Sequence, residues 1–365
     1  MDTSSLKKTL DELFKLLGPP GGNLDELKNI LSTAYLHHKT IGAATQYLVN
    51  ALFGKFGLIV VDPDEAEFKR AYIDVMRDEL LHQSAYPIVS AQIEKLEAHY
   101  KAQAHPRPIN LFYLKDDLRE RIERRGDVWQ VVNTDIEFTE AELMKELDEH
   151  PERFSPNVIL RGMFQERILP DVAFIGGGAE VAYWLQLKSV FEHYNIFYPV
   201  VLLRQSIMWI TPQQAKLQEQ LGLSLSDIFK NDSLLVRQFI SAHSKDDWQT
   251  AIEGKEIEQV LERMKKKAME LDSTLRSSAD AVLTKIRYQV QVLERKMLRA
   301  EKRKMQEQLL KITKLKNALF PNGGLQERVE NFSEYFLRYG YEYFDVLYNA
   351  IEPLASKFLV IEQQD

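Results

Sequence analysis

Between Gly254 and Pro321 the sequence contains neither glycine nor proline, and this stretch constrains the architecture more than any other. Apolar residues at Ala279, Val282, Ile286, Val290, Leu293, Met297 and Ala300 step by three and four. That is a coiled-coil seam with one extra four-residue step, a stutter. The pattern predicts a helix from about Asp272 to Asn317, roughly 65–70 Å long. A small domain cannot cover such a rod, so the spacing calls for a partner helix, expected from a second copy. The coiled coil is read as residues 246–320, followed by a helical segment over 321–365. That tail is rich in aromatics (Phe332, Tyr335, Phe336, Tyr339, Tyr341, Tyr343, Phe344 and Tyr348), a composition suited to docking.

Ahead of the rod, the pattern changes period. Leu6, Leu10, Leu13 and Leu16 keep helical spacing, and Gly18-Pro19-Pro20-Gly21-Gly22 ends that helix. Asn23 is suited to cap a second helix, and a third follows Thr40. Gly57 breaks the pattern, and Leu58 to Val61 reads as a buried strand ending at the turn Asp62-Pro63-Asp64. Residues 1–64 are thus read as part of an α/β core. Residues 65–154 read as an insertion: two helices parted near Ser84, then short strands at Leu111–Leu114, Leu118–Glu123 and Val128–Val132. Arg125-Gly126-Asp127 is a hairpin turn, and Thr139 with Glu142 has capping-box spacing. The α/β signal returns over 155–245. Strands are expected at Asn157–Leu160, Val172–Ile175 and Pro199–Leu203, with a helix from about Ala179 to Tyr194.

The chemistry concentrates in that returning segment. Gly176, Gly177 and Gly178 follow a strand and open a helix, which lets the backbone approach a ligand at the carboxyl end of an open α/β sheet. The spacing is neither a dinucleotide-binding fingerprint nor a P-loop, so a tight turn before a core helix explains it equally well. Glu180, Trp184 and Lys188 share a helix face by i,i+4 spacing, with Tyr183 beside them. Glu180 also complements the helix dipole, and aromatics in a second turn commonly pack in a core. Arg204 ends one strand and Arg161 follows another, and with the glycine turn they form a plausible anion site. Asp62 stands at an equivalent strand end.

Other classes are excluded or weakened. The 365 residues include no cysteine, so there is no disulfide, thiol nucleophile or Cys-ligated metal. No H-x-x-x-H, H-E-x-x-H or G-x-S-x-G occurs, and no metal site is inferred. The longest apolar run, Phe197–Leu203, is too short to cross a membrane. The N-terminal residues lack the apolar core of a signal peptide, and a cytoplasmic location is expected. The net charge of −7 argues against a general nucleic-acid coat. Ten Lys/Arg against three Glu between Arg287 and Lys316 read as the solvated exterior of the coiled coil.

The stretch from Ser155 through Arg161, Asp171-Val-Ala-Phe-Ile-Gly-Gly-Gly178 and Glu180 to Lys188, continued by Pro199-Val-Val-Leu-Leu-Arg204, resembles the bacillithiol biosynthesis cysteine-adding enzymes. Phe53–Asp64 is similar to a preceding core segment of that family, and the likeness extends over the coiled coil and aromatic tail. The resemblance implies a partial Rossmann-like core akin to class I aminoacyl-tRNA synthetases, an inserted α+β connecting region and a homodimerising coiled coil. It implies ligation of cysteine to glucosaminyl-malate, with ATP as cofactor by analogy with cysteine ligases. The segments 176–178, Glu180, Tyr183, Trp184, Lys188, Arg161, Arg204 and Asp62 would then line the nucleotide and substrate pocket. The general base stays unassigned. Family members carry a Gly-Gln-Gln segment and an acidic-histidine motif that this sequence lacks, so it is expected to start inside the core and to be an incomplete, inactive piece. Gly162 and Gly178-Ala179 also depart from the family's usual Arg-Pro and Gly-Pro-Gly patterns. Two alternatives from other classes remain: a non-catalytic dimeric coiled-coil scaffold, and an RNA-binding synthetase relative using Lys302 and Arg303.

Overall fold

The computed structural model describes residues 3–18, 21–115, 117–244 and 251–363. Pro19 and Pro20, and the predicted domain boundary near 246, lie outside the described residues. The chain divides into two units, Met1–Ser206 with Phe332–Phe358, and Ile207–Asn331 with Leu359–Asp365.

The core of the first unit is built on an antiparallel sheet. Its strands are β1 (Leu111–Lys115), β2 (Leu118–Arg125), β3 (Val128–Val131), β4 (Glu137–Thr139) and β5 (Phe154–Pro156), in the spatial order β4-β3-β2-β1-β5. Arg125 faces Val128 across the β2–β3 hairpin, leaving Gly126 and Asp127 to turn the chain. Gly126 has φ 64°, the left-handed conformation that such two-residue turns demand. Alternate residues Ile122, Trp129 and Val131 bury one face against Met76 and Leu80 of the helix Ile73–His82 and Val89 of the helix Ala85–Glu97. Thr139 and Glu142 form the expected capping box, with the Glu142 carboxylate accepting from the Thr139 N–H at 2.8 Å.

A parallel pair completes this unit. β6 (Ala173–Gly176) and β7 (Val200–Leu203) run side by side with Gly176 opposite Leu203. Parallel strands need a crossover, supplied here by helices Gly178–Trp184 and Lys188–His193. The predicted single helix over 179–194 is therefore broken: Leu185–Leu187 part it into two, and Trp184, Leu187, Val190 and Phe191 all turn into the core.

Two predicted strands are absent. Asn157–Leu160 is not a strand. Asn157 caps a helix, Val158–Ile168, by accepting from the Ile159 N–H at 2.8 Å. The apolar residues after it form a helical face that buries Ile159, Leu160, Met163 and Phe164. Leu58–Val61 is likewise not a strand, and Leu58 and Ile59 are exposed. A side chain, that of Gln46, donates to the Val60 carbonyl at 2.9 Å.

The aromatic tail docks within its own unit. Phe336 and Phe344 are buried with Leu27, Ile30 and Leu52 of the N-terminal helices, and Phe56 stacks on Tyr348 at 4.5 Å. Asn23 lies inside the second helix, and its amide donates to the Leu337 carbonyl at 3.2 Å.

In the second unit, β8 (Ile207–Ile210) pairs in parallel with β9 (Leu359–Glu362). Neither strand was expected, and the last residues of the tail are extended, not helical. Met208, Ile210, Leu235 and Phe239 pack with Ile312, Leu315 and Leu319 of the helix Gln306–Leu319. From this base rises a hairpin of helices Ala251–Leu271 and Arg276–Lys304, joined by a short turn at Ser273–Leu275. Arg287 grips the Glu258 carboxylate through both Nε (2.7 Å) and Nη2 (2.8 Å), and Lys265 meets Asp280. The pairing of 258 with 287 and of 265 with 280 makes the helices antiparallel. The helix expected over 272–317 starts at Arg276, close to the expected Asp272, but is interrupted at Met305, and a helix of the same chain packs against it.

Candidate functional site

β6 ends where the glycines begin. The Arg204 N–H donates to the Gly176 carbonyl at 2.8 Å, so the residue after β7 is bonded to the glycine that ends β6. Glu180 folds back from the first turn of the helix Gly178–Trp184, and its carboxylate accepts from the Gly177 N–H at 2.7 Å. This sets the glycine turn rigidly at the carboxyl end of the strand pair.

Close approach explains two of the three glycines. A Cβ on Gly176 would lie 2.6 Å from the Phe174 ring and 3.0 Å from Glu180 Cβ. A Cβ on Gly177 would sit 3.4 Å from the Arg204 guanidinium and 3.4 Å from the Glu180 carboxylate. Nothing lies within 4 Å of the Cβ position on Gly178. The guanidinium of Arg204 therefore lies over the Gly177 backbone. Its Nε is buried and has no hydrogen-bond partner among the described residues. An unpaired buried cationic donor is costly and is a natural place for an anionic oxygen.

Tyr183 stands one helical turn beyond. Burial raises its hydroxyl pKa, the nearby Glu180 carboxylate adds to the rise, and Arg161 opposes it. The phenol is thus a neutral hydrogen-bond donor that feels both charges. Arg161 reaches this region from the exposed side of the helix Val158–Ile168 and not from a strand end.

Three sequence assignments fall elsewhere. Trp184 is 1% exposed and stacked on Phe174 at 4.1 Å, with Phe191 and Tyr198 around it, so it is core and not a ligand wall. The ring also explains Gly162, where a Cβ would come within 3.0 Å of it. Lys188 opens the separate helix Lys188–His193, pairs with Glu192 at 3.9 Å, and does not share a helix face with Glu180. Asp62 follows no strand. Its carboxylate accepts from the Asp64 N–H at 3.0 Å, beside Gly42.

Sequence reasoning passed over buried ionisable side chains, Lys69 and Glu166 among them. Lys69 is 1% exposed and donates to the Phe154 carbonyl at 2.9 Å and to the Asp64 carboxylate at 3.0 Å. Burial lowers its pKa, and Asp64 and Asp62 partly restore it. The signal was the acidic turn five residues before the lysine. Glu166 is 2% exposed, and its Oε2 accepts from the Asp171 N–H at 2.8 Å, anchoring the loop into β6. Its Oε1 has no partner among the described residues, and burial pushes the carboxyl pKa up to about 7. Among the described residues, no group of three or more His, Asp or Glu is arranged to hold a metal ion.

Comparison with known proteins identifies the family. Residues 1–205 match the family model described as bacillithiol biosynthesis BshC, N-terminal Rossmann-like domain. Residues 207–363 match the C-terminal coiled-coil domain of the same family. A protein of Flavobacterium johnsoniae, provisionally named cysteine ligase BshC, is 38% identical over 99% of this chain and 68% of its own length. A protein of the same name from Christiangramia forsetii is 37% identical over 96% of this chain and 66% of its own. Another from Salinibacter ruber is 28% identical over 98% and 66%. The chain spans about two-thirds of the length of these relatives. With residues 1–205 matched by the Rossmann-like model and 207–363 by the coiled-coil model of one family, the chain belongs to the bacillithiol biosynthesis BshC family.

Proposed function

We propose that the strand ends of β6 and β7 form part of the active site of a ligase that joins L-cysteine to glucosaminyl-malate by an amide bond. The observation that carries this reading is the buried Nε of Arg204, unpartnered among the described residues, with the guanidinium over the Gly177 backbone. Arg204 would hold a carboxylate or phosphate oxygen there. Arg161 would add a second positive charge at the rim, and the Tyr183 hydroxyl would donate a hydrogen bond between them. Glu180 is a positioning residue, since its carboxylate is occupied by the Gly177 N–H.

An amide forms when the glucosaminyl nitrogen attacks the cysteine carboxyl carbon and the carboxyl oxygen departs. That oxygen is a poor leaving group, and ATP, when bound, supplies its activation. The buried Arg204 donor fits an anionic group of that kind, and nothing lies within 4 Å of the Cβ position on the exposed Gly178 beside it. Removing the donor from a charge-assisted contact costs about 1.5–3 kcal/mol, or roughly ten- to a hundredfold in affinity.

The reading includes a homodimer in the cytoplasm. Val282 and Leu293 of the predicted seam, with Val260, Met264 and Tyr288, are exposed on the hairpin of a single chain. A second hairpin would cover them. No helix among the described residues is long and apolar enough to cross a membrane.

Calorimetry of the full-length protein with ATP, cysteine and glucosaminyl-malate tests the proposal. Binding of at least one ligand that is weakened tenfold or more by Arg204→Ala is expected. Absence of heat with all three would favour a non-catalytic scaffold.

A further inference from the structure

The hairpin of the second unit sorts its charges. In the helix Arg276–Lys304, the side chains of Lys285, Arg295, Lys296, Arg299, Lys302 and Arg303 are all exposed. At about 100° per residue they fall within one arc of roughly 120°, along about 27 Å of the helix axis. The three acids of this helix, Asp280, Glu294 and Glu301, lie outside that arc. Their contacts show where they point. Arg237 of the helix Asp232–His243 donates to the Glu294 carboxylate at 2.8 Å, and Ser244 donates to the buried Glu301 at 2.8 Å. Lys265 of the helix Ala251–Leu271 takes Asp280. Leu283 is buried on that side, with Ile286, Val290 and Met297 half-buried around it. The basic arc therefore points away from both neighbouring helices.

None of these six cations meets a carboxylate among the described residues. Arg295, Arg299 and Lys302 are spaced by four and three residues, as are Lys296, Arg299 and Arg303 by three and four. At that spacing like charges repel along a helix. The helix dipole offsets the charge of the last turn, at Lys302 and Arg303, but does not reach Lys285, Arg295, Lys296 or Arg299. A merely solvated helix face interleaves both signs, so solvation does not account for the sorting. Tyr288 lies on the same arc. It is 56% exposed, and the Arg295 guanidinium stands 5.7 Å from its ring centroid. Arg295 Nε donates to the Gln291 carbonyl at 3.2 Å, which holds the guanidinium beside the ring.

We propose that this stripe is a docking surface for RNA that presents unpaired bases. A phosphate backbone is held by charge and hydrogen bonds and needs no apolar seat, and it relieves the repulsion among the six cations. Tyr288 gives an unpaired base a face to stack on, next to a guanidinium. Blunt duplex DNA offers no such base. A helix lying on an anionic membrane inserts its apolar side, and here that side packs against helices of the same unit. Nothing in this argument uses the glycine turn or Arg204.

Fluorescence anisotropy of the full-length protein with a labelled RNA stem-loop carrying a single-stranded tail tests the proposal. Binding is expected with a Kd of about 1–100 µM at physiological salt, and with a log–log salt slope of about −4, since each phosphate contact contributes roughly 0.7. The charge-reversed variant R299E/K302E/R303E should bind at least about tenfold more weakly. If that variant loses its helix by circular dichroism, R299Q/K302Q/R303Q carries the test, with a loss of about fivefold and a slope shallower by about two. Tyr288→Ala should weaken the tailed RNA by about fivefold or more and leave a blunt DNA duplex unaffected. R161A/R204A should leave RNA binding in place. No RNA binding at about 100 µM overturns the proposal. Equal affinity for the blunt DNA duplex, or binding that survives neutralisation of the arc, overturns it too. So does recruitment to phosphatidylserine vesicles without RNA binding. The ligase reading survives each of these failures, because its own test uses small ligands and Arg204.

Discussion

Replacing Glu166 with glutamine should stabilise the first unit at pH 8 and have little effect near pH 4.5. The carboxyl group is buried, with one oxygen bonded to the Asp171 N–H and the other unpartnered, and its pKa is pushed up to about 7. An unfolded chain would release the proton near the ordinary 4.5. The folded state therefore holds the proton more tightly. Stability from this group is fully present below pH 4.5 and is lost as pH rises through 7. The gap between the two values sets a ceiling of about 3 kcal/mol, and solvent near the site reduces the expected change to about 2 kcal/mol. Glutamine keeps an acceptor for the Asp171 N–H and carries no charge to bury. Native-state hydrogen exchange of peptides covering 159–176, at pH 5 to 8, reads the opening free energy of this region directly. The difference between variant and wild type cancels other titrating groups. It should grow by about 2 kcal/mol from pH 5 to pH 8. A difference that stays flat, or a variant less stable at pH 8, would refute the reasoning.

Three further outcomes follow from the packing. Gly176→Ala forces its Cβ against Phe174 and should cost about 1–3 kcal/mol, while Gly178→Ala should not destabilise; thermal melting compares them. Lys69→Met removes the donor to Phe154 and Asp64, and should lower stability by about 1–3 kcal/mol while increasing exchange at 62–64. Val282→Glu with Leu293→Glu places charges on the exposed seam and should convert a dimer to a monomer in sedimentation velocity without unfolding the hairpin.

Local signals were legible where short-range chemistry decides the structure. The capping box at Thr139, the hairpin turn at Gly126 and the strand–glycine–helix passage at 173–184 each depend on neighbours within a few residues. Two short apolar runs misled. Leu58–Val61 has strand composition but no ladder partner, and a strand exists only by pairing. Asn157 carried a cap signal that the apolar run after it obscured, because periodicity cannot separate a buried strand from a helix over four residues. The seam pattern correctly marked a helical rod, but it cannot say whether the partner lies in the same chain. The turn at Asp272 was the overlooked clue, since its carboxylate caps the Thr274 N–H. Met305 shows no breaker at all, and we have no physical account of the interruption there.

For the site, the spacing placed Gly176, Gly177, Glu180 and Arg204 in one sequence block, and they meet in space. Trp184 and Lys188 looked equivalent to Glu180 only while one helix was assumed. The break at Leu185–Leu187 sends the ring into the core and the lysine onto another helix. Glu166 was invisible because burial, not residue type, makes it unusual, and for Lys69 the acidic turn at Asp62–Asp64 was the signal passed over.

The most direct test of the central claim is mass-spectrometric measurement of bacillithiol in cells lacking the full-length gene and in cells complemented with it. Loss of the thiol with accumulation of glucosaminyl-malate is predicted. Wild-type complementation should restore it, and Arg204→Ala should restore less than about a tenth, given the strength of a charge-assisted contact. Undiminished bacillithiol in the deletion strain would contradict the account.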